Sequence, residues 1–155
     1  MENRESGTFS HGKLRLRILL EGSILFGISF SEQSGGGGEP SAEMTRICQQ
    51  LGEYFAGNRK EFEVRVDPEG TPFQKKVWDA IREIPYGETQ TYKEIAKKIG
   101  HPGAYRAVGQ AAGRNPTAIV IPCHRVIGSD GSHTGYAGGL DLKRWLLEME
   151  QRFKA

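Results

Sequence analysis

The sequence predicts an α+β protein: a small N-terminal antiparallel sheet with a covering helix, then a mainly helical domain. Three observations predict it. Alternating polar and apolar segments lie before residue 67, two Thr-headed capping boxes open helices after residue 70, and the turn cluster Asp67-Pro68-Glu69-Gly70 separates the two patterns. The expected domains are therefore 1–69 and 70–155.

In the first domain Lys13 to Leu20 (KLRLRILL) alternates in part, and Ser23 to Phe30 (SILFGISF) is richer in apolar residues. Glu21-Gly22 between them reads as a hairpin turn, which makes the pair antiparallel. Ser31 to Pro40 contains four consecutive glycines, Gly35 to Gly38, and reads as a flexible loop. No Lys-Ser/Thr follows it, so its composition gives no sign of a phosphate cradle. Residues 41 to 57 place Met44, Ile47, Cys48, Leu51, Tyr54 and Phe55 at helical spacing, with Gly57 as the stop. Glu61 to Val66 (EFEVRV) alternates strictly and predicts a third strand.

The second domain opens with Thr71 as a cap, Pro72 at the first helical position and Gln74 closing a capping box. This helix runs to about Glu83, and Pro85-Tyr86-Gly87 turns the chain. Thr91 and Glu94 form a second capping box before a short helix with Tyr92, Ile95, Ala96 and Ile99 on one face and Gly100 as its stop. After His101-Pro102-Gly103, a third helix is expected from about Ala104 to Ala112. Two short helices around a Gly/Pro turn resemble a helix-turn-helix. Ala118 to Ile121 predicts a short buried strand. A Gly-rich loop, Gly128 to Gly139, leads to a last helix with Leu142, Trp145, Leu146 and Met149 on its buried stripe. No internal repeat is present.

Composition narrows the function classes. The net charge is +2, so any nucleic-acid contact must come from a local patch. No apolar run approaches the roughly 20 residues of a membrane span. The polar start MENRESGTFSHGK lacks the apolar core of a secretion signal, so the expected location is cytoplasmic. Two cysteines without close spacing make neither a disulfide scaffold nor, in the absence of CxxC or HxxxH, a zinc site. No metal or cofactor is expected.

The cysteines differ in context. Cys48 sits on the apolar stripe of a helix and reads as a small buried hydrophobe. Cys123 follows a proline and is flanked by His124 and Arg125, cations that lower a thiol pKa. A nucleophile and a packed structural cysteine both fit that position. His124 is a candidate base, directly or through a water, although sequence neighbours usually point apart; a histidine capping backbone carbonyls is the plainer reading. Glu150, at the edge of the last helix's stripe, is the candidate to orient the imidazole, against a solvated last-turn glutamate. Asn115-Pro116 either stops a helix or fixes the turn before Cys123. The third helix has unusually small side chains, which packing explains for Ala107, Val108 and Ala111. Arg106 among them suggests a probe reaching outward.

Ile121 to Ile127 (IPCHRVI) resembles the active-site signature of the O6-alkylguanine-DNA alkyltransferases. Gly70-Thr71-Pro72-Phe73-Gln74, Val77-Trp78, Thr91-Tyr92, Arg106-Ala107-Val108-Gly109, Asn115-Pro116, Gly135 to Gly139 (GYAGG) and Lys143 to Leu147 (KRWLL) follow in that family's order and spacing. Residues 70 to 150 carry the resemblance; the first 69 match only in layout. It implies a winged helix-turn-helix-like alkyltransferase domain and irreversible, single-turnover transfer of an alkyl group from O6-alkylguanine in DNA, and less from O4-alkylthymine, to Cys123. His124 would act as base through a water and Glu150 would orient it. Tyr92 would donate to the leaving guanine, and Asn115 would hold the turn. The carbonyls of Cys123 and Val126 would read the guanine amine, Tyr136 would wall the site, and the Ala137 amide would contact O6. The partner would be double-stranded DNA, met in the minor groove by Arg106, Ala107, Gly109, Gln110 and Arg114, with the nucleotide flipped out and Arg106 filling the gap. The protein would act as a monomer, without a membrane.

Departures are modest. Position 137 is Ala where some members have Ser, and Ser132-His133 matches no family pattern, which leaves the accepted alkyl size open. Some members hold a zinc in the first domain; no such cysteine cluster is present here. Three alternatives stay open: a non-enzymatic sensor of alkylated DNA, which would lack the nucleophile; a winged-helix regulator reading the major groove, which would want Arg, Asn or Gln at base edges; and a cysteine hydrolase, which would turn over.

Overall fold

The structure is a computed structural model that describes residues 4–31, 39–131 and 136–154; the Gly35–Gly38 run, Ser132-His133 and Gly135 lie outside them. The chain forms two compact units, residues 1–69 with 116–118, and residues 70–115 with 119–155. The segment Pro116–Ala118, expected in the second domain, groups with the first unit. No helix among the described residues is long and apolar enough to cross a membrane.

The first unit is a four-stranded sheet in the order β1 (Arg4–His11), β2 (Leu14–Glu21), β3 (Ile24–Phe30), β4 (Arg65–Val66). β1 was not legible in the sequence, since RESGTFSH shows no apolar alternation. It forms by pairing: every residue from Arg4 to His11 is in antiparallel register with β2. Gly12 and Gly22 take φ of 58° and 60°, as the first central position of a two-residue hairpin turn requires. Leu16, Ile18 and Leu20 alternate inward and are fully buried. α1 (Ala42–Phe55), capped by Ser41, buries Met44, Ile47, Leu51, Tyr54 and Phe55, while Cys48 is only half-buried.

The expected third strand is shorter and differently paired. Only Arg65–Val66 is strand, and it runs parallel to β3. The physical reason lies on α1. Gln50 accepts from the Glu63 amide at 2.9 Å, and Arg46 donates to the Glu63 carbonyl at 2.7 and 2.6 Å. Helix side chains thus satisfy the backbone that a neighbouring strand would have paired. Ile28 also bonds outward, from its amide to the Pro116 carbonyl (2.9 Å) and from its carbonyl to the Ala118 amide (3.0 Å).

The second unit contains α2 (Pro72–Arg82), α3 (Tyr92–Lys98), α4 (Tyr105–Gly113) and α5 (Leu140–Phe153). Both capping boxes are formed, Thr71 with Gln74 and Thr91 with Glu94. Val77, Trp78, Ile81, Ile95, Val108 and Ala111 are buried, and the Trp78 indole donates to the Ala111 carbonyl at 2.9 Å, tying α2 to α4. A two-stranded parallel sheet, β5 (Gln90–Thr91) with β6 (Val126–Ile127), sets the start of α3 beside the segment that carries Cys123.

Two sequence expectations fail here. Ala118–Ile121 is not a strand but a buried turn, in which Ile119 takes φ of +73°. A short apolar run reads alike for a strand and a buried turn, so periodicity could not separate them. A β-branched residue in the left-handed region costs about 1–3 kcal/mol, and such strain persists where the surroundings enforce it. The buried stripe of α5 is also rotated. It consists of Lys143, Leu146, Met149 and Glu150, with Leu142 half-buried and Trp145 37% exposed. Lys143 is the unexpected charge on this face, whereas Glu150 was expected at its edge.

Candidate active site

Thr117 to Val126 form an unbroken buried run that ends in a one-turn 3-10 helix, Cys123–Arg125. The turn is closed by the Cys123 amide on the Ile121 carbonyl (2.8 Å) and the Arg125 amide on the Pro122 carbonyl (2.9 Å). Asn115, just past α4, donates from Nδ2 to the Ile121 carbonyl at 2.7 Å and to Cys123 Sγ at 3.1 Å. One amide group therefore holds both the turn and the sulfur.

The tight turn separates neighbours that an extended chain would also point apart. While Cys123 meets Asn115, His124 reaches α5, where its Nε2 lies 2.7 Å from Glu150 Oε2. Arg125 meets the same carboxylate, Nε to Oε1 at 2.8 Å and Nη2 to Oε2 at 3.0 Å, and its Nη1 donates to the Ile84 carbonyl at 2.8 Å. The Gly87 amide adds a bond to Oε1 at 3.2 Å. Glu150 is fully buried, so a charge there stands only because it is paired and hydrogen-bonded on both oxygens.

These contacts set the protonation states. Burial works against the Glu150 charge, but the bonds and charges of His124 and Arg125 hold its carboxyl far below the usual range. Burial pushes the His124 pKa down; the Glu150 bond opposes this, and Arg125 and Lys143 reinforce it. With Arg125 already neutralising the carboxylate, the imidazole rests neutral. The hydrogen-bond network then assigns Nε2–H as donor to Glu150 and leaves the lone pair on Nδ1, which has no protein hydrogen-bond partner among the described residues.

The thiol corrects an expectation. Burial raises the Cys123 pKa, outweighing the Asn115 bond, the Lys143 charge and its backbone bond. The resting group is a thiol, not a thiolate. The flanking cations expected to lower it are engaged elsewhere: Arg125 is spent on Glu150 and His124 is neutral. The cation whose field reaches the sulfur is Lys143 on α5, a residue that sequence reasoning noted only within KRWLL. The spacing of Lys143, Leu146 and Glu150 on one helical face was the signal that could have found it.

Tyr136 lies edge-on to His124, with ring centroids 6.5 Å apart, and burial, with Cys123 and Glu150 nearby, raises its phenol well above the ordinary range. Ala137 is exposed beside it. Val126 is buried in β6, and its carbonyl accepts from Lys143 Nζ at 2.7 Å. Tyr92 heads α3 half-buried, and a Cβ placed on Gly109 would lie 3.8 Å from the Tyr92 ring, so this ring packs close over α4.

α4 turns Val108, Ala111 and Ala112 inward and leaves Tyr105, Arg106, Ala107 and Gln110 exposed, with Gly109 half-buried and Arg114 exposed just past its end. Packing therefore accounts for Val108 and Ala111 but not for Ala107. Lys93 and Arg106 flank the Tyr105 ring at 5.2 and 6.0 Å from its centroid. Ala104, at the N-cap of α4, makes no side-chain cap bond to the helix start. Among the described residues no group of three or more His, Cys, Asp or Glu side chains converges as a metal site would require.

Residues 72–152 match the family described as 6-O-methylguanine DNA methyltransferase, DNA binding domain. A methylated-DNA–protein-cysteine methyltransferase of Methanosarcina barkeri is 64% identical over 104 residues, 67% of this chain and 66% of that one, so the match spans slightly less than two thirds of that relative's length. The protein of the same name from Mycobacterium bovis is 50% identical over 144 residues, 88% of this chain and 86% of its own. The crystal structure of Mycobacterium tuberculosis O6-methylguanine methyltransferase superposes with a TM-score of 0.87 at 45% identity, covering 96% of this chain and 93% of that one. Mycobacterium tuberculosis OGT in complex with DNA gives 0.88 at 46%, covering 96% and 94%.

Proposed function

This chain belongs to the 6-O-methylguanine DNA methyltransferase family, and from that premise we propose that it repairs DNA by moving the alkyl group of O6-alkylguanine irreversibly onto its own Cys123. The observation that carries this reading is the sulfur of Cys123 held at 3.1 Å by Asn115, on a turn whose next residue is bonded to a buried carboxylate.

The geometry suggests the order of events. The Cys123 proton passes through a water to Nδ1 of His124, and the ionised Glu150 stabilises the imidazolium that forms. Sγ attacks the alkyl carbon, an S–C bond forms, and the C–O6 bond breaks. Its electron pair leaves on the guanine, where a proton from Tyr92 neutralises the anion, and the proton held by His124 passes through solvent to restore the Tyr92 phenol. The Ala137 amide contacts O6, the Cys123 and Val126 carbonyls read the exocyclic amine, and Tyr136 walls the site. The product is a thioether, which nothing in this sequence of steps reverses, so each molecule acts once. No cofactor enters the balance.

The partner is double-stranded DNA bound by a monomer. Past Tyr105 at its start, the exposed face of α4 is small apart from Arg106 and Gln110, with Arg114 just beyond its end, which suits close approach to a minor groove better than base reading in the major groove. The target nucleotide leaves the stack, and Arg106 takes its place. O4-alkylthymine is a poorer substrate of the same site.

Stoichiometry tests the reading. With lesion duplex in excess, repaired lesions should plateau at one per protein molecule. Continued repair beyond that plateau would favour hydrolysis. Tight binding without repair would favour a damage sensor.

A further inference from the structure

Lys143 places a cation where packing alone would favour an apolar chain. Its side chain is 1% exposed, on the same face of α5 as Leu146 and Glu150, and its ammonium donates to the Val126 carbonyl at 2.7 Å. Burial of an ammonium disfavours its charged form, and here burial pushes the Lys143 pKa down while Cys123 pulls it up.

The neighbours show why a charge at that point matters. Arg125 and Glu150 neutralise each other through two bonds, and His124 is an uncharged donor to the same carboxylate. Tyr136, on the loop side, keeps its phenol proton, and Asn115 contributes a dipole but no charge. Among the described residues, Lys143 is the cation whose charge favours a thiolate at Cys123.

We infer that Lys143 is a positioning residue for alkyl transfer: its ammonium fixes the Val126 carbonyl and supplies the positive charge that balances the Cys123 thiolate as it forms. The inference rests on the alkyl-transfer reading above.

The test separates donor from charge. In a Cys48→Ser background, Cys123 is alkylated with iodoacetamide from about pH 6 to about pH 10, a reaction that follows the thiolate and uses no DNA. Lys143→Gln keeps a donor for Val126 without the charge; Lys143→Met removes both. Both profiles should move to higher pH, with reaction near neutrality slower on the order of tenfold and the same plateau at high pH. Methyl transfer from a lesion duplex should slow in parallel and recover as pH rises. A Lys143→Gln profile that superimposes on the parent, with circular dichroism showing the variant folded, overturns the inference even if transfer by the parent is normal. If Lys143→Met does not fold, the Gln variant decides alone. A displaced profile in a protein whose parent transfers no methyl group would instead count against the proposed function.

Discussion

Asn115 holds the sulfur of Cys123: one amide nitrogen stands 3.1 Å from Sγ and 2.7 Å from the Ile121 carbonyl. The bond favours the anion as it develops and keeps the turn closed behind it. Asn115→Ala loses both. Hydrogen bonds to charged groups contribute about 1.5–3 kcal/mol, so methyl transfer should slow by roughly 10- to 100-fold. An unchanged single-turnover rate would show that the sulfur needs no such support.

Glu150 is the anchor of a buried charge cluster. Glu150→Gln keeps the shape but leaves Arg125 without a counter-charge, and breaking a buried pair in this way costs about 3–5 kcal/mol. Urea unfolding should show that loss. Transfer by the folded fraction should also fall, because the imidazolium of His124 loses its stabiliser. A variant as stable as the parent would mean that the carboxylate is not ionised in the fold.

Stability should fall on the acid side. The folded-state pKa values of His124 and Glu150 both lie below their ordinary ones, so the unfolded chain binds more protons as pH drops. The His124 contribution is complete above about pH 6.5 and declines below it; the Glu150 contribution is complete above about pH 4.3 and declines further down. Urea midpoints should be flat near neutrality and fall in two stages. Midpoints that rise between about pH 6.5 and 5 would reverse the sign assigned to His124.

α4 offers a separate test of the DNA face. Ala107 is exposed, so Ala107→Leu should change stability by less than about 0.5 kcal/mol. Lesion-duplex binding should weaken, because a larger side chain keeps the helix off the groove. Arg106→Ala should slow transfer from duplex while leaving reaction with the free base O6-methylguanine unchanged. Equal slowing of both would place Arg106 in the chemistry instead of in nucleotide extrusion.

What the sequence made legible depended on local signals. Thr71 with Gln74 and Thr91 with Glu94 announce helix starts by side-chain chemistry alone, and the α1 stripe announces its buried face. β1 was invisible because its partner, not its own pattern, makes it a strand. Ala118–Ile121 was misread because burial leaves the same apolar trace on a strand and on a turn. At the candidate site, residue type and spacing were enough to single out Cys123, His124 and Glu150 as candidates, but not to give the direction of the Cys123 shift. Burial and the diversion of Arg125 to Glu150 are three-dimensional facts. Lys143 was missed because a lysine on a helix is ordinarily read as solvated.

The most direct test of the account is intact mass after mixing the protein with a short duplex bearing one O6-methylguanine, with Cys123→Ala alongside. The account predicts one added methyl group on the parent, mapped to Cys123 and absent from the variant. An unmodified parent, or a methyl group mapped to Cys48, would contradict it.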